Sequence, residues 1–251
     1  MKYNWNWGIF WQLSPDGRGT YLDTLVAGLG WTLATALAAW IIALVLGMVV
    51  GVIRTTPLPW LRRLGDAWVE VFRNIPLLVQ MFLWFFVVPE LLPVSVGTWL
   101  KQLPRSAFYT AVVCLGLYTS ARVAEQVRAG IQSLNRGQRM AGVALGLTLP
   151  QTYRFVLLPM ALRIVMPPLT SEFLNVIKNS AVALTIGLVE LTASARSIQE
   201  FSFQVFEAFT AATLIYMALN LIVVTGMRWL EKKLAVPGLI GPGQAMPQAG
   251  H

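Results

Sequence analysis

The chain has 251 residues, 56% of them hydrophobic and only 12% charged, with a net charge of +8. Ordinary soluble domains are about a quarter charged, so this deficit excludes a freely soluble globule and indicates an all-α, polytopic membrane protein. The basic excess is not a nucleic-acid signal, because no cluster of Lys and Arg stands apart from the apolar runs to track a phosphate backbone. A single Cys (Cys114) and a single His (His251) leave no intrachain disulfide, metal cluster or nucleophile–base pair to assemble.

Residues 1–23 form an aromatic arm, with Trp5, Trp7, Phe10 and Trp11 bunched as at a water–lipid boundary on the outer face, or packed against the other helices. The start lacks the unbroken apolar core and small-residue cleavage site of a removable signal peptide, so the first hydrophobic helix is expected to be retained. That helix is read over Thr24–Ile53, and its Gly47 and Gly51 form a small-xxx-small pair suited to close packing within the subunit. A second helix starts near Pro59 or Leu64 and runs to about Leu92. Arg73, Asn74 and Gln80 interrupt it, and Pro76 frees a carbonyl near its middle.

The third helix, from Ala107 to about Val127, is apolar only in its first half, and Arg122, Glu125 and Arg128 lie in or just beyond its second. The fourth covers Pro168 to Ala193 and includes Glu172, Asn175, Lys178, Asn179 and Glu190. An outer segment, Arg196–Gln204, leads to the fifth helix at Phe206–Trp229. Residues 24–233 thus make a transmembrane domain, followed by a mobile Pro/Gly-rich tail over 234–251. Arg54, Arg62, Arg63, Arg128, Arg136, Arg139, Arg154, Arg163, Arg228, Lys232 and Lys233 fall on one side of this five-helix layout. By the positive-inside bias that side is cytoplasmic, which leaves the N-terminus periplasmic and the C-terminus cytoplasmic.

Charged groups within spans face a bundle interior, a partner or an aqueous cavity. Arg122 shares a helical face with Tyr118 and with Glu125 or Gln126. It either receives a substrate carboxylate in bidentate fashion or forms an ion pair with Glu125 that holds helices together. Glu172, Asn175 and Asn179 share another face with Lys178 beside them, a polar seam suited to a translocation path or to a subunit interface. Arg73 joins the path if the second helix starts early.

Between the third and fourth helices lies a basic stretch, QRMAGVALGLTLPQTYRFVLLP, from Gln138 to Pro159. Small residues at 141, 142, 144 and 146 let a short helix approach another surface. Thr148–Pro150 then breaks that helix, and a second piece, Gln151–Leu157, returns toward the membrane, with Pro159 kinking or ending it. The expected product is a helix-turn-helix knuckle shaped for a groove in a soluble partner. Its spacing (Ala141-Gly142, three residues, Gly146, nine residues, Val156, one residue, Leu158-Pro159) resembles the EAA loop of ABC-importer permeases. Two positions depart from that pattern, since Met140 stands where the motif has Glu and Gly142 where it has Ala, with Arg139 beside them. Further words, FRNIPLLVQMF, ARVAEQVRAGIQSLNRGQ, PPLTSEF and VIKNSA, are similar to the polar amino-acid uptake branch of that family. Across its length the chain most resembles the glutamate/aspartate type of Gram-negative bacteria.

The resemblance implies a multi-pass permease of the bacterial inner membrane with the type I importer fold. It implies pairing with a second, non-identical permease, an ATPase homodimer docked on the knuckles, and a periplasmic binding protein delivering an acidic amino acid. ATP and Mg belong to the ATPase, because the chain lacks a G-x-x-x-x-G-K-[ST] phosphate loop, and no cofactor is expected in the chain itself. Arg139, Met140, Ala141, Gly142, Gly146, Val156, Leu158 and Pro159 are the implied coupling residues. Other uptake permeases often carry an aromatic residue near position 122, so an Arg there suits an acidic substrate. An ion-coupled secondary transporter using Glu125, Glu172 and Lys178 as a relay is the rival reading, and a membrane-embedded enzyme the other.

Overall fold

The structure, a computed structural model, describes residues 3–14, 17 and 19–234, without the side chains of Arg136, Arg139, Val143 and Leu234; the expected tail therefore lies outside it. Helix α1 (Tyr21–Ile53) opens on a reciprocal cap. The Thr20 hydroxyl accepts from the Asp23 amide at 3.3 Å, and the Asp23 carboxylate accepts from the Thr20 amide at 2.8 Å. The chain continues through α2 (Pro59–Asn74), α3 (Leu77–Phe82), α4 (Val88–Leu91), α5 (Val94–Gln102) and α6 (Ser106–Gln132). Then come α7 (Arg136–Ala144), α8 (Leu149–Thr152), α9 (Leu158–Asn179), α10 (Leu191–Ser202) and α11 (Val205–Leu234). Four helical stretches are long and apolar enough to cross a bilayer: Tyr21–Ile53, Ser106–Gln132, Leu149–Ile186 and Val205–Lys233. A fifth crossing is available if the bent pair Pro59–Asn74 and Leu77–Leu91 counts as one.

The bundle is built on α1 against α6, and small residues set the distance. A Cβ on Gly47 would sit 2.5 Å from Val123 Cβ and 2.8 Å from the Ser120 carbonyl. One on Gly51 would sit 2.7 Å from Val127 Cβ and 2.8 Å from the Ala124 carbonyl, and one on Gly116 would sit 2.8 Å from Ile42. The Gly47/Gly51 pair thus serves packing within the subunit, backbone against backbone. Helix α9 packs on α6 one turn further along the same seam, where a Cβ on Gly130 would meet Val165 at 2.3 Å. Two apolar clusters fill the seams, one around Met81, Leu115 and Ile177 and one around Val127, Leu157 and Val165.

Two expected helices and one expected connection are redrawn. The second is not continuous: Ile75 is extended (φ −95°, ψ 128°), Pro76 follows, and the two halves meet at 99°. Gln80 makes the break tolerable, its side-chain amide donating to the Phe72 and Ile75 carbonyls at 2.9 Å each. The fourth starts earlier than Pro168 and ends sooner than Ala193. Its α-helix stops at Asn179, a 3-10 turn covers Ser180–Ile186, and Gly187 at φ 90° reverses the chain. Glu190 is therefore not a spanning-helix residue. It is fully buried and caps α10, accepting from the amides of Thr192 (3.0 Å) and Ala193 (2.8 Å) and from the Tyr216 hydroxyl (2.8 Å). The segment expected as an outer connection at Arg196–Gln204 is largely the second half of that helix.

Prolines reshape both redrawn helices in a shared way. Turns of π-helix occupy Leu83–Val87 and Tyr153–Leu157, just ahead of Pro89 and Pro159. A proline lacks its amide and its ring crowds the carbonyl four residues back, here Phe85 and Phe155, so the preceding turn widens. Pro159 thus does not end the helix; it sits in the first turn of α9. The aromatic arm is fastened to the opposite end of the chain: Tyr3 donates to the Glu207 carboxylate, which also accepts from the Asn6 amide at 2.7 Å. Trp5, Trp7 and Trp11 remain exposed at its surface.

Replacing Gly51 by Val should lower unfolding stability by about 1–3 kcal/mol, because the new methyls have backbone in their way. Gly226→Ala, in open space on α11, should change it by less than about 1 kcal/mol. Thermal unfolding of both variants in detergent separates the two outcomes.

Candidate functional site: the 136–159 knuckle and the charged level beneath it

Helix α7 starts at Asn135, whose side chain accepts from the Gly137 amide at 3.0 Å. It ends in a glycine-led reversal: Gly146 takes φ 75°, and the Leu147 amide donates back to the Gly142 carbonyl at 3.1 Å. Nothing lies within 4 Å of where a Gly146 side chain would begin. Within the chain its requirement is therefore conformational, and the surface beside it is open. Gly142 is the contact residue, with a Cβ there falling 2.9 Å from Thr152, so α7 lies directly on α8. The turn at Thr148–Pro150 begins a helix instead of only breaking one. Gln151 accepts from the Thr148 amide at 2.8 Å, and Pro150 takes a first-turn position where no amide is needed.

The knuckle is a folded unit with one apolar outer ridge. Met140 (64% exposed), Ala141, Ala144 and Leu145 (79%) face outward. The side chain of Arg139 lies outside the described residues. Val156, Leu158 and Pro159 are half-buried at the root, where α9 departs. Between them Tyr153 and Leu157 are buried in the cluster with Val127, Ile131 and Val165.

Tyr153 is an anchoring residue of the knuckle that sequence reasoning missed. Its hydroxyl donates to the Thr55 carbonyl at 2.8 Å and lies 3.0 Å from the Thr55 hydroxyl, tying the knuckle to the end of α1. A buried tyrosine in an otherwise basic loop was the available signal, since such a phenol needs a partner. One residue before Thr55, the Arg54 guanidinium is 9% exposed and joins three helices. Its Nε donates to Asp66 at 2.7 Å and its Nη1 to Glu125 at 2.8 Å, while Glu125 also accepts from Arg128 at 2.9 Å. Burial works against the charge on Arg54, yet the two carboxylates hold its pKa above the ordinary value. Gly65 gives its side chain passage, a Cβ there falling 2.5 Å from Arg54 Cγ. Arg73 reaches only to 3.9 Å from Glu125 and is 61% exposed, so it lies at the edge of this level and not deep in a span.

The remaining candidates separate. Glu125 belongs to the Arg54 network, and the alternative of an Arg122–Glu125 pair is overturned. Arg122 instead donates to the Tyr118 hydroxyl at 2.9 Å and lies over that ring at 5.2 Å. Its Nε is buried without a partner, and among the described residues no carboxylate is within ion-pair distance of it. Glu172 is 8% exposed with one carboxylate oxygen unpartnered. Asn175 and Asn179 are half-buried on the same helix, and Lys178 beside them is exposed.

The family model "Binding-protein-dependent transport system inner membrane component" matches residues 43–236. The chain belongs to that family. The permease is 49% identical over 244 residues to the glutamate/aspartate import permease protein GltJ of Escherichia coli (strain K12), covering 96% of this chain and 99% of GltJ. It is 36% identical to the probable amino-acid ABC transporter permease protein PatM of Vibrio harveyi, over 85% of this chain and 92% of that one. Among solved structures, an amino acid ABC transporter with histidines superposes with TM-score 0.72 at 29% identity, over 85% of this chain and 95% of that chain. The inward-facing MetNI methionine ABC transporter superposes with TM-score 0.73 at 23% identity, over 86% and 98%, and supports the fold alone. The chain is thus a multi-pass ABC-importer permease for amino acids.

Removing the hub tests the charged level. Arg54→Gln strands Asp66, leaves Glu125 to Arg128, and should destabilise the permease by about 1–3 kcal/mol, less than a fully enclosed pair because both carboxylates keep access to water. Thermal unfolding of the purified protein reads this out.

Proposed function

We propose that this permease imports acidic amino acids, glutamate and aspartate, across the bacterial inner membrane as one half of a heterodimer with a second permease. A periplasmic binding protein delivers the substrate and an ATPase homodimer, holding ATP and Mg, docks on the knuckles. The knuckle end, where Arg54, Arg128 and Arg154 gather, faces the cytoplasm, and the N-terminal arm faces the periplasm. The observation that carries the substrate reading is Arg122, a half-buried guanidinium whose Nε is buried without a partner and which has no carboxylate within ion-pair distance among the described residues, in a chain 49% identical to a glutamate/aspartate import permease. A carboxylate is the group whose geometry it matches.

In the proposed cycle, closure of the ATPases moves the knuckles as rigid bodies by their Met140–Leu145 ridges. Motion passes along Val156, Leu158 and Pro159 into α9, and through Tyr153 into Thr55 and α1. Without the motif's Glu at Met140, docking here rests on apolar contact, supported by Arg139. Asn175, Asn179 and Glu172 flank the path with Arg122. Glu125 and Arg73 hold its cytoplasmic end through the Arg54 network, and Lys178 contributes charge at its rim.

Two measurements test this. In proteoliposomes with the full complex, Arg122→Gln should raise KM for glutamate about tenfold or more, the worth of a charge-assisted contact. Glutamine or arginine competing better than aspartate would sink the acidic-substrate reading. Gly146→Leu should strip the ATPase from the purified permease, since the left-handed turn closing α7 is lost. Tyr153→Phe should keep the ATPase bound while more ATP is hydrolysed per glutamate imported; an unchanged ratio would remove Tyr153 from the transmission.

A further inference from the structure

We propose that α2 does not cross the membrane but lies in its cytoplasm-side interface, with its apolar stripe in the acyl region and its arginines on anionic phospholipid headgroups. Helix α2 has three faces. Leu61, Gly65, Trp68, Val69 and Phe72 turn toward the bundle. Gly65 sits against Arg54, Val69 packs with Val50, Ala121 and Ala124, and the Trp68 indole donates to Ser120 Oγ at 3.0 Å. On the next face Trp60, Leu64, Ala67 and Val71 recur at i, i+4, i+7 and i+11, a single stripe. All four are exposed, Trp60 and Leu64 to 61% and 60%. The third face carries Arg62, Arg63, Asp66, Glu70 and Arg73. Protein, hydrocarbon and charge thus follow one another around the helix, the order met by a helix lying flat at a bilayer surface.

Two further observations fix its depth. The helix meets α3 at 99°, so it cannot run parallel to a span that α3 and α4 continue. Asp66 and Arg73, seven positions and about 10 Å of helix apart, both reach the Arg54–Glu125 pair, Asp66 at 2.7 Å from Arg54 and Arg73 at 3.9 Å from Glu125. A helix crossing the bilayer would carry one of them away from that level. The charge balance favours an anionic surface. Asp66 is taken up by Arg54, which leaves Arg62, Arg63 and Arg73 on the outer face with Glu70 as the single counter-charge among them. Trp60, at the first turn, supplies the interfacial ring such helices use.

The test uses the purified permease complex in nanodiscs, with one nitroxide label at a time at Leu64, Ala67 or Val71; Cys114, fully buried, stays in place unlabelled. Collision with oxygen and with a water-soluble nickel chelate should place all three labels at the same shallow depth, open to lipid. In discs mixing phosphatidylcholine with phosphatidylglycerol, the labels should sense a preference for phosphatidylglycerol that weakens about fivefold for each arginine lost in Arg62→Gln and Arg63→Gln. Depth increasing steadily from 64 to 71 would show a crossing helix and overturn the proposal. Labels shielded from oxygen would show a protein partner on the stripe and overturn it equally, and equal affinity for both lipids would remove the headgroup role. None of these readings depends on transport, so a wrong substrate assignment would leave the result intact.

Discussion

The close approach of α1 to α6 is the constraint on which everything else rests. At Gly47, Gly51 and Gly116 there is no room for a side chain, so each helix uses the other's backbone as its packing surface. In a bilayer, apolar attraction between helices is weak because lipid is equally apolar, and shape complementarity of this kind supplies the association. It also sets the register that brings Arg54, at the end of α1, beside Glu125 on α6. Slip either helix by one turn and the buried guanidinium loses its carboxylate, and with it the anchor for Asp66.

From that fixed pair the chain builds outward in two directions. Below it, Thr55 receives Tyr153, so a loop that hydropathy alone would leave solvated becomes attached to the rigid core. Above it the bundle loosens into polar positions whose partners are incomplete, among them Arg122 and Glu172. Unsatisfied buried polar groups are expensive, and under the proposed function a passing solute would supply the contact that Arg122 lacks.

Much of this was legible in the residues. The apolar runs marked the crossings, Gly47 and Gly51 marked the tight helix pair, and the spacing from Ala141 to Pro159 marked the knuckle. What escaped was direction. A run of apolar residues records length, so the second helix read as one piece although Ile75 and Pro76 turn it sharply. Proline is ambiguous in the same way: Pro76 breaks a helix that Gln80 then repairs, while Pro89 and Pro159 only widen theirs. Partner choice across the chain was equally hidden. Glu125 sits as well for Arg122 on its own helix as for Arg54, which is distant in sequence, and only the fold decides.

The wide turn at Tyr153–Leu157 has a geometric consequence for how the knuckle and α9 are oriented. A π turn houses one surplus residue, so everything beyond it is rotated by roughly 100° relative to a regular helix of the same length. The outward ridge at Met140–Leu145 and the bundle-facing side of α9 at Ala161, Val165 and Leu169 are therefore indexed to each other through that one added residue. Pro159 acts as the tooth that keeps the two ends in phase, in the manner of a key on a shaft.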